Sequence, residues 1–415
     1  MSSASPEDVA EMPSPTHVHI DSMLSRKFGK EAVNYFSSSP LNRVSFLRED
    51  SAFLSAAIRH PSCRFLLLNN LNPLVHNPST IFYASYKDVK ALVPEDIFDK
   101  SEADALKEFN PSVTNPLLLF LGLDEKRTEN VLTYKSYNGT PFFALDVTPR
   151  GTIEQPAKDI IAAMEANGLS FHQGRTITTL PADVAAIYAQ ARALIDWNTR
   201  NTYCGTCGHL TMSVHAGTKR LCPPQDGGIP RPPCSTRTTL SNLSFPRTDP
   251  TIIVVVLSHD GKRLLLGRQK RYPPNWYSAL AGFIEPGESV EDAVRREVWE
   301  EAGVVVSRVV IHSTQPWPYP ANLMIGAIAQ VAKPEHEAIS LEHDPELEDA
   351  RWFSIAEAEE ALKVGTSNLG GNPGPDYKEG GLRVPPKLAI AHQLIAAVVH
   401  REFWEGTSFA NGAKM

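Results

Sequence analysis

Nowhere in the 415 residues do eighteen apolar residues run together, so the sequence offers no ordinary membrane-spanning helix. The opening MSSASPEDVAEMPSPTHVHI lacks both a basic leader and an apolar core, and does not read as a secretory signal. Basic charge is in short supply: 40 Lys and Arg stand against 47 Asp and Glu, for a net charge of -7 and a pI near 6.0. That balance argues against a protein that coats duplex nucleic acid, although a local basic patch remains compatible with it. Cysteine is scarce as well. Of five, four fall between Cys204 and Cys234, which suits a metal site in a reducing compartment better than a disulfide framework. No internal repeat is visible in the letters.

What is present is a soluble globular composition, 42% hydrophobic and 21% charged, on a chain too long for one ordinary domain. Residues 1–20, rich in Ser, Pro and Glu, are expected to be disordered. Residues 21–198 alternate short apolar runs with turn signals and predict a mixed α/β domain without a catalytic constellation. CRFLLLNN, TIFYAS, PLLLFLGL and FFALDV read as buried strands; IEQPAKDIIAAMEANG and LPADVAAIYAQARALIDWNTRN read as helices. The cysteine block occupies 199–247. From 248 to 405, TIIVVVLSHDGKRLLLGRQ predicts a hairpin turning at Asp260-Gly261. LMIGAIAQVA predicts a further strand, 366–382 a Gly/Pro loop, and PPKLAIAHQLIAAVVHREFW a closing helix after Pro386. Residues 406–415 read as a loose tail.

One stretch carries chemistry. GFIEPGESVEDAVRREVWEEAGV, Gly282 to Val304, sets seven carboxylates against Arg295 and Arg296. Ser289 and Asp292 form a capping-box pattern that starts a helix near Val290, and Gly303 stops it. Within it Glu297, Glu300 and Glu301 lie at i, i+3 and i+4 on one side, with Val290, Val294 and Val298 on an adjoining apolar stripe. Such a row near a helix C-terminus is unfavourable twice, through mutual repulsion and through the dipole. A bound divalent cation removes both costs, and carboxylates are the hard ligands that Mg²⁺ or Mn²⁺ prefers. The plain alternative is a solvated acidic face.

The spacing favours the cation. Gly282, five residues, Glu288, seven residues, Arg296-Glu297-Val298, one residue, Glu300-Glu301, one residue, Gly303-Val304 resembles the Nudix box at every fixed position. The resemblance implies an α/β (α+β) fold: a Nudix α/β/α sandwich with a mixed sheet, preceded by a zinc ribbon and an α/β N-terminal domain. It implies metal-dependent hydrolysis of a nucleoside diphosphate linked to another group. Glu297 and Glu301 would hold Mg²⁺ or Mn²⁺ with Glu300 as a further ligand, and Glu301 would orient or deprotonate the attacking water. Arg296 would pair with Glu288 or Glu300 and fix their geometry. Glu288 would be structural, and Gly282 would let the backbone approach metal and phosphate.

Beyond the box, TQPWPYPANLM, Thr314 to Met324, is a stiff, extended proline-rich segment unsuited to a central strand. By itself it could be a rigid loop with buried aromatics. It is similar to the signature of the NADH pyrophosphatase branch, with Thr314, Tyr319 and Asn322 where that branch has Ser, Phe and Ser. The likeness implies substrate contacts from Gln315, Trp317, Tyr319 and Asn322. FPRTDP resembles the segment before the first Nudix strand, with Phe245 in place of the usual Tyr. Phe283 matches a position that stacks on a base, Glu346 an additional metal-binding glutamate, and Ala389 the start of a C-terminal helix that closes over substrate. The implied reaction is NAD(H) plus water to NMN(H) plus AMP. NAD-cap removal from RNA is the close alternative, the same bond at the end of a longer substrate. ADP-ribose and coenzyme A are more distant substrates, and a catalytically silent nucleotide-binding or partner-binding module is the rival of another class. Homodimers, the rule among relatives, are expected.

Cys204-Gly-Thr-Cys207 is half of a zinc ribbon. Fourteen residues lead to Cys222 and eleven more to Cys234; the irregular second half contains PPQDGGIPRPP, a loop of turn-formers. One structural Zn²⁺ on all four thiolates is expected, because four ligands leave no position for water. His209 and His215 could replace a ligand, and Cys63 reads as a core thiol. The terminal Ala413-Lys414-Met415 resembles a peroxisomal targeting tripeptide, which implies a peroxisome, reached through its import receptor, with the cytosol as the alternative. Removal of these three residues is expected to redistribute a tagged protein from peroxisomes to cytosol; an unchanged distribution in fluorescence microscopy would withdraw the address.

Overall fold

The computed structural model describes residues 32–400 apart from 175–176, 239–244, 287 and 345. The expected disordered start, the tail from 406 and the tripeptide Ala413-Lys414-Met415 lie outside the described residues. Two compact units form, one from Ser39–Thr248 with Pro318–Ala321, the other from Asp249–Trp317 and the residues from Asn322 on, together with residues 32–38. Among the described residues no helix is long and apolar enough to cross a membrane.

In the first unit an eight-stranded mixed sheet is made from β1 (Arg64–Asn69), β2 (Asn72–Asn77), β3 (Thr80–Ile81), β4 (Tyr83–Ala84), β5 (Leu117–Asp124), β6 (Leu132–Tyr134), β7 (Tyr137–Asp146) and β8 (Ser170–Phe171). Phe65 to Leu68 are fully buried, the near-continuous apolar run that a strand covered on both faces requires. Helices Ser51–Arg59 and Glu154–Ala166 bury Phe53, Ile58, Ala157 and Ile160 against Phe65, Leu67, Phe143 and Leu145. Helix Ala182–Arg200 packs on β5 and β1. Two short hairpins follow, β9 (Met212–Val214) with β10 (Lys219–Leu221), and β11 (Gln225–Asp226) with β12 (Ile229–Pro230).

The second unit holds a six-stranded sheet: β13 (Asp249–Leu257), β14 (Arg263–Gln269), β15 (Leu280–Phe283), β16 (Val306–Trp317), β17 (Asn322–Val331) and β18 (Leu347–Ser354). Along β13 the side chains alternate between two cores, as a period of two dictates. Ile252, Val254 and Val256 meet Ala293, Val294, Val298 and Ala302 of the acidic helix, Val290–Ala302. Ile253, Val255 and Leu257 meet Ala358 and Ala361 of helix Ile355–Val364 and Ile390, Leu394 and Val398 of helix Ile390–Val399. This is the expected α/β/α sandwich with a mixed sheet. β16, which the sequence reading did not separate, runs at the sheet edge. Pro316 is tolerated there because one side of an edge strand has no ladder to feed.

The two sheets share one connectivity. β13 is parallel to β17 and antiparallel to β14 and β15, while β17 pairs with β16 and β14 with β18. In the first unit β1 is parallel to β7 and antiparallel to β2 and β4, while β7 pairs with β5 and β2 with β8. The order along the chain is also the same. The chain is thus a repeat of topology that no repeat of letters discloses. The copies differ between the third and fourth matching strands. The second carries the thirteen-residue acidic helix there; the first has only Tyr86–Val89 and Glu102–Lys107.

Gln315 ties β16 to the last helix. Its Nε2 donates to the carbonyls of Tyr35 and Leu388 at 3.1 and 2.8 Å, and its Oε1 accepts from the backbone N–H of Ile390 at 2.9 Å. The side chain is 1% exposed, so each partner would be stranded without it. Gln315→Ala is expected to lower unfolding free energy by about 1–3 kcal/mol, read from urea denaturation; an unchanged midpoint would show the clamp to be dispensable.

Candidate active site

The acidic helix begins where its letters place it. Ser289 Oγ accepts from the backbone N–H of Asp292 at 3.2 Å. At the other end Gly303 adopts φ 71° and donates to the carbonyl of Trp299. A β-carbon at Gly303 would sit 2.8 Å from Ser340, so the stop needs glycine for space as well as for handedness.

Arg296 organises the carboxylates around it. Its guanidinium is bidentate to Glu288 at 2.6 and 2.9 Å, and its Nη1 donates to Glu297 at 2.8 Å and to Glu300 at 2.9 Å. Nη2 also donates to the carbonyl of Phe283 at 2.8 Å, fixing the end of β15 against the helix. Both pairings open to Arg296 in the sequence, Glu288 and Glu300, are made. The Arg296 fork, with a backbone N–H from Glu285, holds the Glu288 carboxyl down at about 2. Gly282 is the floor beneath Glu297: a β-carbon there would lie 2.0 to 2.2 Å from the Glu297 carboxylate. In the fold its role is thus to leave room for the Glu297 carboxylate, a role different from the approach to metal and phosphate expected of it.

Glu301 stands differently. It is 3% exposed, and its Oε2 has no hydrogen-bond partner among the described residues. Burial, followed by the charges of Glu346, Glu297, Asp344 and Glu300, pushes its carboxyl up to about 9. Burial raises Glu297 as well. A buried, orphaned carboxylate surrounded by others is costly by itself, and a divalent cation is the group that would reverse that cost. The donor set therefore fits a hard cation, with Glu297, Glu300, Glu301 and Glu346 able to hold it. The glutamates are not drawn together as tightly as the cysteines are; Arg296 lies between Glu297 and Glu300.

The other expected residues spread more widely. Glu346 is exposed and accepts from Gln269 Nε2 at 2.5 Å. Phe283 is 58% exposed beside Gly282. Asn322 donates to Thr251 Oγ1 at 2.9 Å and pairs with Trp317 across the β16–β17 ladder. The Trp317 ring meets Phe36 edge-on at 5.8 Å. Ala389 is half-buried at the start of the last helix. Gln315 departs from the substrate contact expected of it: its amide is buried and already engaged on both sides by backbone groups. Tyr319 and Phe245 lie in the first unit. The half-buried Tyr319 accepts from Ile177 N–H at 3.0 Å through its hydroxyl, with Arg192 over its ring. Phe245 lies beneath the Lys219 ammonium. Sequence reasoning overlooked Gln269 and Asp344 beside the acidic row, and Trp299, which stacks on His343 at 4.2 Å. Trp299 is the unspecified position between Val298 and Glu300 of the box, whereas Gln269 and Asp344 lie outside the box and only folding brings them to it.

Cys204, Cys207, Cys222 and Cys234 converge, their sulfurs all within 4.8 Å of one another. Cys204 and Cys234 are 3.7 Å apart and Cys207 and Cys222 3.5 Å. A disulfide would measure about 2.05 Å, whereas the edge of a tetrahedron with metal–sulfur bonds of about 2.3 Å is about 3.8 Å. The residues fit a four-thiolate metal. The expected loop of turn-formers is a tight hairpin: β11 and β12 join through Gly227 and Gly228 at φ 55° and 92°, and Arg231 clamps Asp226. That fold returns Cys234 to Cys222. Neither histidine joins the sulfurs, since His209 Nδ1 contacts the Cys207 carbonyl and His215 bridges Glu49 and Glu102. Cys63 is a buried core thiol.

Gly282→Ala is expected to displace the Glu297 carboxylate while the protein stays folded, weakening divalent-metal affinity by about 10–100-fold. Titration of Mn²⁺ followed by its electron paramagnetic resonance signal reads this directly, and unchanged affinity would remove Glu297 from the site.

Residues 247–369 match the NUDIX domain family, and residues 62–197 match the NADH pyrophosphatase-like rudimentary NUDIX domain. The second match agrees with the shared sheet connectivity and the shortened helix of the first unit. The chain is 34% identical over 382 residues to a NAD-capped RNA hydrolase of Schizosaccharomyces pombe, covering 89% of this chain and 93% of that one. It is 33% identical over 389 residues to a NAD-capped RNA hydrolase of Saccharomyces cerevisiae, covering 88% and 94%. With a mitochondrial NAD(P)H pyrophosphatase of Mus musculus it shares 35% over 282 residues, covering 67% and 74%. With the glutamate row of the box on a capped helix and a second, reduced copy of the sheet before it, the chain belongs to the Nudix hydrolase superfamily, in its NADH pyrophosphatase branch.

Proposed function

We propose that this protein hydrolyses the diphosphate bond of NADH and NAD⁺, releasing NMN(H) and AMP. The observation that carries the reading is Glu301, a buried carboxylate with an orphaned oxygen set among Glu297, Glu300 and Glu346. Mg²⁺ or Mn²⁺ bound by these four would neutralise the diphosphate and acidify a water. Glu301 would orient the attacking water and take its proton. Arg296 and Gly282 keep Glu297 and Glu300 in place, and the exposed ring of Phe283 offers a flat face to a nicotinamide or adenine. Zn²⁺ on the four cysteines is structural, because no ligand position is left for water.

A second reading has specific support: two of the relatives carry the name NAD-capped RNA hydrolase. It requires the same bond cleavage at the 5′ end of a longer chain. Turnover of NADH, NAD⁺, ADP-ribose and a short NAD-capped RNA at matched concentrations, with products separated by chromatography, decides between the readings. Release of AMP and NMNH fastest from NADH is the expected result, and preference for capped RNA would move the function to RNA. Glu301→Gln is expected to lose about 10²–10⁴-fold in turnover with zinc content unchanged; full activity would remove Glu301 as the base.

A further inference from the structure

In the first unit, the connection that takes the place of the acidic helix lines a cavity of about 770 Å³. Its walls also include residues that follow β7, the end of helix Ala182–Arg200 and the β9–β10 hairpin. The volume is that of a small-molecule site. Ile97, Phe98 and Phe109 supply apolar and aromatic surface, and Arg150, Ser213 and Arg220 supply polar groups.

The charge on the polar side is unbalanced. Arg220 is 9% exposed, and four of its hydrogen bonds run to neutral oxygens: Thr211 Oγ1, Thr211 O, Asn198 O and Asn198 Oδ1. Among the described residues no carboxylate lies within 4 Å of its guanidinium, whereas Arg150 is close enough, after burial itself, to help push it down to about 10. Buried cations ordinarily have counter-ions. A guanidinium has five N–H donors, so among the described residues one of those on Arg220 is left over. Ser213 stands directly across the β9–β10 ladder from Arg220, where facing residues share a side of the sheet. Its Oγ is buried, with no hydrogen-bond partner among the described residues. Arg150 spends one nitrogen on Asp146. Of the rim carboxylates, Glu102 engages His215 and Glu108 engages Lys100 at 2.5 Å, while Asp96 is exposed and screened by water.

We propose that this cavity is a second nucleotide site, which takes a phosphate monoester bearing an aromatic base, the phosphate at Ser213, Arg220 and Arg150 and the base against Phe98. Two neighbouring guanidiniums and an orphaned hydroxyl select the anion. The volume and the aromatic wall exceed what an inorganic ion would fill. The site does not depend on which substrate the Glu301 centre hydrolyses.

Calorimetric titration of adenosine 5′-monophosphate, adenosine and inorganic phosphate into the full-length, zinc-loaded protein without Mg²⁺ or Mn²⁺ tests the assignment. The monophosphate is expected to bind, and both adenosine and phosphate to bind about tenfold more weakly or worse. Arg150→Met and Ser213→Val should each weaken the monophosphate by about tenfold, and Phe283→Ala should leave it unchanged. Zinc content and circular dichroism confirm that each variant is folded. Absence of binding, phosphate binding as tightly as the nucleotide, or binding lost in Phe283→Ala but kept in Arg150→Met and Ser213→Val would each overturn the site.

Discussion

One guanidinium serves three carboxylates, and the candidate active site is arranged around that shortage. Arg296 gives a bidentate pair to Glu288 and single contacts to Glu297 and Glu300. The Glu288 pairing locks the loop before the helix to the helix itself. The contact with the Phe283 carbonyl locks the end of β15. Among the described residues nothing comparable reaches Glu301, which is buried with an oxygen unsatisfied. Its carboxylate is tolerated in the fold as a protonated group or as a cation ligand, because an isolated buried anion is far too costly. An incomplete balance of charge is therefore built into the helix, and the sheet beneath supplies the packing that supports it.

The two clusters of donors illustrate different ways of presenting ligands. The cysteines are closed, their sulfurs already at tetrahedral spacing and pinned by a two-glycine hairpin with an Arg231–Asp226 clamp. The glutamates are open. Glu301 and Glu297 face each other across a helix turn, Glu346 comes from the segment before β18, and Arg296 intervenes. A closed thiolate set suits a fixed structural ion, whereas an open carboxylate set leaves room for water and phosphate oxygens around a hard cation.

The first unit shows the same sheet connectivity without the acidic helix. Its strand connectivity follows that of the second unit, and its residues 62–197 match a rudimentary form of the same domain. Two short helices replace the acidic one, so the row of glutamates has nowhere to stand. In its place the connection shapes a cavity with two guanidiniums at its wall. The sheet persists because its apolar residues, Phe65 to Leu68 and Leu117 to Phe120, still fill a core, and core packing constrains a chain whether or not it catalyses.

Local features were legible in the letters. Ser289, Gly303 and the i, i+3, i+4 row define a helix by capping and periodicity, both of which act within a few residues. The Asp260-Gly261 turn, the apolar run of β13 and the Cys204–Cys207 knuckle are equally local. The proline run excluded a central strand, though it gave neither the edge strand nor its partners. Other features are long-range and depended on tertiary structure. Gln315 reads as a substrate contact by resemblance, yet the fold encloses it between Tyr35, Leu388 and Ile390, residues far from it in sequence. Tyr319 is drawn into the first unit in the same way. The twin sheets are invisible in the letters because strand pairing is satisfied by backbone hydrogen bonds and by any apolar side chains of suitable size. Local sequence alone sets the acidic helix, its metal-ready carboxylates and the Cys204–Cys207 knuckle. The burial of Glu301, the Gly282 floor under Glu297 and the charge left over at Arg220 were decided only by tertiary structure, because desolvation and packing depend on what the rest of the chain brings alongside.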